Sequence, residues 1–220
     1  MPLVALGPGW YPLIERLLGA LGCSLPSDVL PPLSRFLDEV VKWNAQVDLT
    51  AAKTSGELVD LMLADAILLA EWTERWGGAW GDVGSGAGAP GLPLAILAPQ
   101  VTMTLVEPKT KRVAFLRSVL GALGRSDVQV VRARSTEVPD QAWDVAISRA
   151  TLPPPEWLRE GARLAKSRVG VLLARAELPS LPGWGLHAER DYVWPSNGAP
   201  RKLAFFAPQG SAPETGALST

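Results

Sequence analysis

Gly81-Asp82-Val83-Gly84-Ser85-Gly86-Ala87-Gly88-Ala89-Pro90-Gly91-Leu92-Pro93-Leu94 is the stretch on which the fold turns. Glycine at alternate positions gives a strand nothing to pack and burdens a helix interior with entropy. Such a run is a backbone that turns tightly and lets something come close. In front of it, Ala79–Val83 reads as a short strand. Behind it, Leu92, Leu94, Ala95, Ile96 and Leu97 open an apolar helix, with Pro93 tolerable only in the first turn. Strand, glycine loop and helix start together form a cradle for a nucleotide or cofactor.

Upstream, the periodicity is helical. Leu13, Ile14, Leu17, Leu18 and Leu21 predict a helix over 11–21, stopped by Gly22. Leu33, Phe36, Leu37, Val40 and Val41 predict a second, ending near Lys42 or Trp43. Ser27 and Asp28 are candidate caps before it. Residues 57–74 form a third. Residues 1–9, with their glycines and prolines, read as loose. The first unit, 1–77, is thus a small helical one. Downstream, strands are expected at 101–107, 128–132, 143–148 and 169–173, alternating with helices at 111–123 and 156–164. That rhythm argues for a mostly parallel sheet covered by helices over 78–207. His187–Trp194 and Leu203–Phe206, joined by a turn and no helix, are expected to pair antiparallel. Residues 208–220 read as a disordered tail.

Composition narrows the function. A net charge of −1 excludes a strongly basic nucleic-acid glove. The charge is uneven: residues 1–80 carry 5 basic against 10 acidic side chains, and residues 101–150 carry 8 against 5. One face is therefore suited to phosphates. Cys23 and His187 are the only residues of their kinds, so no internal disulfide, zinc cluster or histidine metal site is expected. No run reaches the length of a membrane span, and no leader pattern opens the chain, so a cytoplasmic protein is expected.

Two ligands suit the cradle. Gly86-Ala87-Gly88-Ala89-Pro90-Gly91 matches the dinucleotide pattern G-x-G-x-x-G, and Asp82 to Gly88 matches the D-x-G-x-G-x-G loop of S-adenosylmethionine-dependent methyltransferases. Both schemes want an acid after the second strand for ribose hydroxyls, and Glu107 is there. Three features favour the methyl donor. Asp82 would repel a pyrophosphate but suits an ammonium and a sulfonium. Pro90 and Pro93 remove N–H groups that phosphate would use. The terminal antiparallel hairpin is usual in methyltransferase sheets.

Longer stretches carry a resemblance. Trp43-Asn44-Ala45-Gln46-Val47-Asp48-Leu49-Thr50 is similar to W-N-x-x-x-N-L-T. Asp82 to Leu94 is similar to D-V-G-T/S-G-x-G-x-P-G-x-P-L. Glu107-Pro108-Lys109-Thr110-Lys111-Arg112-Val113-Ala114-Phe115-Leu116 is similar to D-S-x-x-K-R-x-x-F-L, and Ala146-Ile147-Ser148-Arg149-Ala150 to V-x-S-R-A. The chain resembles, from about Trp43 to Phe206, the ribosomal RNA small-subunit methyltransferase G family, also called glucose-inhibited division protein B. The resemblance implies a Rossmann-like class I S-adenosylmethionine-dependent methyltransferase fold, α/β, with a mostly parallel sheet, a C-terminal antiparallel hairpin and a helical N-terminal unit. It implies methylation of N7 of a guanine in 16S rRNA, with the RNA or the small ribosomal subunit particle as partner. A monomer is expected. A paralogue with another RNA or a small molecule as substrate, and a non-catalytic RNA-binding module, are the alternatives.

The same resemblance assigns residues. Asp82, Gly84, Ser85, Gly86, Gly88 and Glu107 would hold S-adenosyl-L-methionine, with Arg134, Ser135, Thr136 and Glu137 edging its adenine. Arg149 would stand beside the transferred methyl, Arg201 would contact base or phosphate, and Asp48 would accept from the guanine. Lys109, Lys111, Arg112 and Arg117 would steer phosphates. No metal is expected. Plainer readings stand beside these: a solvated helix face for Lys111 and Arg112, an Arg134–Glu137 pair, a turn or cap at Asp48. Asp65, on an apolar helix face, is expected to pair with a basic group or cap a loop. Most tryptophans are expected to pack, with Trp43 and Trp194 nearest a substrate. Three family positions differ: Asp48 replaces an asparagine, and Met62 and Ala66 depart from H-x-L-D-S. Arg175 is expected near the place of a family lysine.

Overall fold

The computed structural model describes residues 3–174 and 177–210. Three helices come first: α1 (Tyr11–Leu21), α2 (Leu30–Asn44) and α3 (Ser55–Trp76). α1 stops where Gly22 turns left-handed, at φ 65°. α2 starts ahead of the expected Leu33, because Pro31 and Pro32 occupy its first turn, where a missing N–H costs nothing. Ser27 and Asp28 belong to a short 3-10 turn, Ser27–Val29, without a side-chain cap. α3 opens on a capping box: Thr54 Oγ1 accepts the Glu57 N–H at 3.2 Å, and the Glu57 carboxylate accepts the Thr54 N–H at 3.3 Å.

The N-terminal segment is not loose over its described part. The N–H groups of Leu6 and Gly7 and the Trp10 indole all donate to Asp38 Oδ1, at 2.9, 3.2 and 2.7 Å. A single carboxylate on α2 pins the segment, and no local pattern announces a partner so distant in sequence.

Beyond Gly77, strands and helices alternate: β1 (Ala79–Val83), α4 (Gly91–Leu97), β2 (Thr102–Val106), α5 (Thr110–Leu123), β3 (Gln129–Val131), β4 (Trp143–Arg149), α6 (Pro154–Leu164) and β5 (Ala165–Leu173). A hairpin of β6 (Trp184–Trp194) and β7 (Ala199–Pro208) closes the described chain. The strands form one sheet in the order β3-β2-β1-β4-β5-β7-β6. β1 to β5 pair parallel, while β7 pairs antiparallel with both β5 and β6. This is the expected architecture, with a longer hairpin. Arg201 and Lys202 hide the strand in the sequence; as neighbours they take opposite faces, Arg201 over Trp194 and Lys202 beside Glu189 and Asp191. Of the expected tail, residues 211–220 lie outside the described residues.

Both faces of the sheet are covered. On one, the three N-terminal helices, α4 and α5 share an apolar core with Trp80, Leu105, Ile147 and Phe205. On the other, α6 lays Trp157, Leu158 and Leu164 against Val169 and Val171. Trp72 and Trp76 of α3 pack on Phe205 at ring distances of 5.4 and 4.6 Å, so these tryptophans pack as expected. Trp43 packs edge-on against Phe115 of α5, at 5.8 Å. The strand order reverses between β1 and β4, and a ligand crevice belongs at the carboxyl ends of strands flanking such a reversal. The glycine loop leaves β1 there.

Candidate active site

The turn out of β1 is held from three sides. The N–H groups of Gly84 and Ser85 both donate to the Val106 carbonyl, at 2.8 and 3.1 Å. The Ser85 hydroxyl donates to the Asp82 carbonyl at 2.9 Å, so its side chain is spent inside the loop. Glu107, 2% exposed at the end of β2, accepts the N–H of Gly86 at 3.0 Å and of Lys109 at 2.8 Å. It ties the loop to the start of α5. Gly84 has φ 77°, and a Cβ there would strike the Thr151 side chain. At Gly86 a Cβ would meet nothing nearer than 3.7 Å, so space lies open beside the loop.

Asp82 is 1% exposed. Its Oδ2 accepts the Gly91 N–H at 3.0 Å, and a Cβ on Gly91 would lie 2.6 Å from that oxygen. Close approach, then, is why Pro90 is followed by glycine. The other oxygen, Oδ1, is buried with no hydrogen-bond partner among the described residues. Burial pushes the carboxyl up to about 7, against the downward pull of the Gly91 N–H, Ser85 and Arg149. An orphaned carboxylate oxygen beside a glycine cradle calls for a donor. The ammonium of S-adenosylmethionine is such a donor and a pyrophosphate is not, so these residues fit the methyl donor.

At the carboxyl ends of β4 and β5 opens a cavity of 170 Å³, with Leu61, Asp65, Arg149, Tyr192, Trp194 and Arg201 on its walls. Arg149 Nη1 donates to Asp65 Oδ2 at 3.0 Å and also to the Leu61 carbonyl. Asp65, 3% exposed, has the basic partner expected of it, and its Oδ1 accepts from the Tyr192 hydroxyl. The Arg201 guanidinium lies 3.7 Å from the centre of the Trp194 ring. Arg149 and Arg201 are thus brought together, with Trp194 beside them.

Asp48 is not on that wall. It is exposed on the loop after α2, where its carbonyl accepts from Arg112 Nη2 at 3.4 Å. Arg112 Nη1 in turn lies 3.7 Å from where a Gly86 Cβ would be, so Asp48 stands by the glycine loop. After β3, Ser135–Glu137 make a 3-10 turn that Arg134 precedes. The Glu137 carboxylate accepts the Arg134 backbone N–H at 2.7 Å, a capping bond in place of the expected side-chain pair. The Ser135 carbonyl accepts from Arg163 at 2.8 Å, and Thr136 is exposed. Met62 and Ala66 are buried in the core. Arg175 lies outside the described residues.

Two residues escaped the sequence reading. Tyr192 shows only strand alternation in the sequence. Thr151 donates to the Val83 carbonyl at 3.0 Å, as Ser148 does at 2.7 Å, closing β4 onto β1 beneath the loop. Between Arg149 and Thr151, Ala150 has φ 54°, a conformation uncommon for alanine and frequent at functional sites.

Known proteins resemble the chain in sequence and in fold. Residues 30–180 match the family model for rRNA small subunit methyltransferase G. A ribosomal RNA small subunit methyltransferase G from Myxococcus xanthus is 35% identical over 205 residues, covering 86% of this chain and 92% of that protein. Its counterpart from Methylococcus capsulatus is 33% identical over 207 residues, covering 90% and 98%. Among solved structures, YhhF from Escherichia coli superposes with a TM-score of 0.50 at 20% identity, covering 65% of this chain and 85% of that one. TYW2 of P. horikoshii, in complex with MeSAdo, gives 0.50 at 12% identity, covering 69% and 66%. The solved structures speak for the fold. The sequence relatives speak for the family: the chain belongs to the rRNA small subunit methyltransferase G family and is an S-adenosylmethionine-dependent methyltransferase of small-subunit ribosomal RNA.

Proposed function

We propose that the protein methylates N7 of a guanine in 16S rRNA, acting as a cytoplasmic monomer on the RNA or the small-subunit particle. The observation that carries this reading is the adjacency of two features at the strand reversal. One is a glycine cradle flanked by the orphaned Asp82 carboxylate. The other is a cavity walled by two guanidinium groups and an indole.

When bound, S-adenosylmethionine supplies a methyl group on a cationic sulfur. Asp82 Oδ1 takes the ammonium, and Glu107 takes ribose hydroxyls with the lone pairs its two backbone donors leave free. Gly84, Gly86 and Gly88 let the backbone approach, and the turn Arg134–Glu137 edges the adenine. Guanine N7 has a lone pair outside the aromatic sextet, so it is a nucleophile at neutral pH. No side chain has to remove a proton. The work of the protein is alignment and exclusion of water. Trp194 and Arg201 offer a stacking surface to the base, and Arg149 offers hydrogen-bond donors to it. Asp48 and Arg112, on the other rim, meet the strand that carries it. Lys109, just before α5, and Lys111 and Arg117 on it are exposed and hold phosphates.

Incubation with methyl-labelled S-adenosylmethionine and unmethylated 30S particles, with deproteinised 16S rRNA in parallel, tests this. The expected result is label at N7 of one guanine in at least one substrate. Label in another base, or none in either substrate, would contradict it.

A further inference from the structure

Arg149 is held by one end only. Among the described residues both of its hydrogen bonds leave from Nη1, one to Asp65 and one to the Leu61 carbonyl. Its Nη2 and Nε donors are left for the cavity it lines. A long arginine side chain loses rotamer entropy when it is fixed, so a guanidinium fixed beforehand loses less when substrate arrives. Both fixing groups are on α3: the backbone carbonyl of Leu61 and the buried carboxylate of Asp65, the one side chain that grips Arg149 among the described residues. Its carboxylate is in turn oriented by the Tyr192 hydroxyl from β6. Burial and the facing carboxylate both push the Tyr192 phenol above its ordinary range, so it stays a donor. Three elements far apart in sequence, α3, β4 and β6, therefore meet at one carboxylate: Tyr192 and Arg149 both donate to Asp65, and Arg149 borders the cavity.

We propose that Asp65 and Tyr192 are positioning residues of methyl transfer, gripping Arg149 by Nη1 so that its free edge faces the acceptor atoms of the target base. The inference rests on the placement of Arg149 at the substrate in the reading above. Tyr192 touches neither the base nor the cofactor; it acts through Asp65 on Arg149. A guanine presents O6 beside N7, and a donor edge held at fixed distance from O6 sets where N7 stands. If the carboxylate loses its hydroxyl partner it is free to rotate, and Arg149 keeps only the Leu61 carbonyl as a fixed acceptor, about which its free edge can swing. Misplacement of this kind is felt in turnover more than in binding.

A double-mutant cycle tests it. Tyr192→Phe removes one hydroxyl and keeps the ring. Arg149→Lys keeps a cation for Asp65, so the buried carboxylate is not left unpaired, but lacks the planar fork. Methyl transfer into 30S particles is measured for both single variants and the double, alongside thermal unfolding and calorimetric binding of S-adenosylmethionine. The expected result for Y192F is kcat lower by roughly tenfold, with KM for 30S particles and cofactor affinity near wild type. R149K is expected to lose more, and Y192F to cost nothing further in the R149K background. A purely structural tyrosine would cost the same in both backgrounds, and that result overturns the inference while leaving the role of Arg149 standing. Wild-type activity in Y192F overturns it too. Full activity in R149K would remove Arg149 from the substrate, and the inference with it.

Discussion

Asp82 carries the sharpest consequence at the scale of one residue. Its carboxyl is pushed up to about 7 by burial, while the unfolded chain titrates near 3.8. The folded protein therefore holds a proton that the unfolded chain releases. Stability from this group is full below about 4 and is lost as pH rises through about 7. Cofactor binding runs the other way, because Oδ1 must be ionised to receive an ammonium. Calorimetry between pH 5.5 and 7.5 is expected to show affinity for S-adenosylmethionine rising with pH. Asp82→Asn keeps an acceptor for the Gly91 N–H but abolishes the charge. It is expected to bind roughly ten- to a hundredfold more weakly, the worth of a charged hydrogen bond, with a flat pH profile. Unchanged affinity in D82N would remove Asp82 from the site. The sequence placed Asp82 before the glycines, where its charge was readable. That one oxygen would be spent on α4 and the other left bare was not, since both facts depend on packing.

At the scale of the element, the glycine loop is a three-way junction. Asp82 at the end of β1 reaches Gly91 at the start of α4, and Glu107 after β2 reaches Gly86 in the loop and Lys109 before α5. The strand, loop and helix were legible from glycine spacing and from Pro93 in a first turn. The second half of the motif, Pro90-Gly91, was legible only as a resemblance. Its physical reason is the 2.6 Å at which a Gly91 Cβ would meet the Asp82 carboxylate. Gly91→Ala is expected to destabilise the protein by about 1–3 kcal/mol through overpacking, read as a lower midpoint in urea, and to weaken cofactor binding through the displaced Asp82. An unchanged midpoint would mean the junction is looser than described. The hairpin of β6 and β7 was legible as two strands and a turn. Its bearing on the site was less so, because Tyr192 and Trp194 become neighbours of Asp65 and Arg149 only once β6 lies at the edge of the sheet near α3.

Across the whole molecule, the helical beginning and the sheet share one core, and the charge is divided between them. Periodicity read both parts well, because apolar spacing is a local property. It could not read the Asp38 clamp on the N-terminal segment, nor the pairing of Asp65 with Arg149, which join residues far apart in sequence. Arg112 stands beside the glycine loop, and Arg132 follows β3 at the same carboxyl end of the sheet. Arg112, Arg117 and Arg132 spend their hydrogen bonds on neutral acceptors: the Asp48 and Val130 carbonyls and the Thr110 hydroxyl, at 3.4, 3.1 and 3.2 Å. Their charge is available to phosphates. Binding to 16S rRNA is accordingly expected to weaken steeply with salt, and Lys111→Ala to lower the salt slope by about 1 without changing affinity for S-adenosylmethionine. A slope unchanged by K111A would move the RNA to another face. Among the described residues, no helix is long and apolar enough to cross a membrane.

The central claim is that this cradle and this cavity methylate one guanine of 16S rRNA at N7. Mass spectrometry of 16S rRNA from cells with and without the protein tests it most directly. One guanine is expected to carry an N7 methyl group when the protein is present, to lose it when the gene is deleted, and to regain it fully with the wild-type protein but only in part with D82N. Identical methylation in both strains, or the loss of a methyl group from any other atom or base, would contradict it.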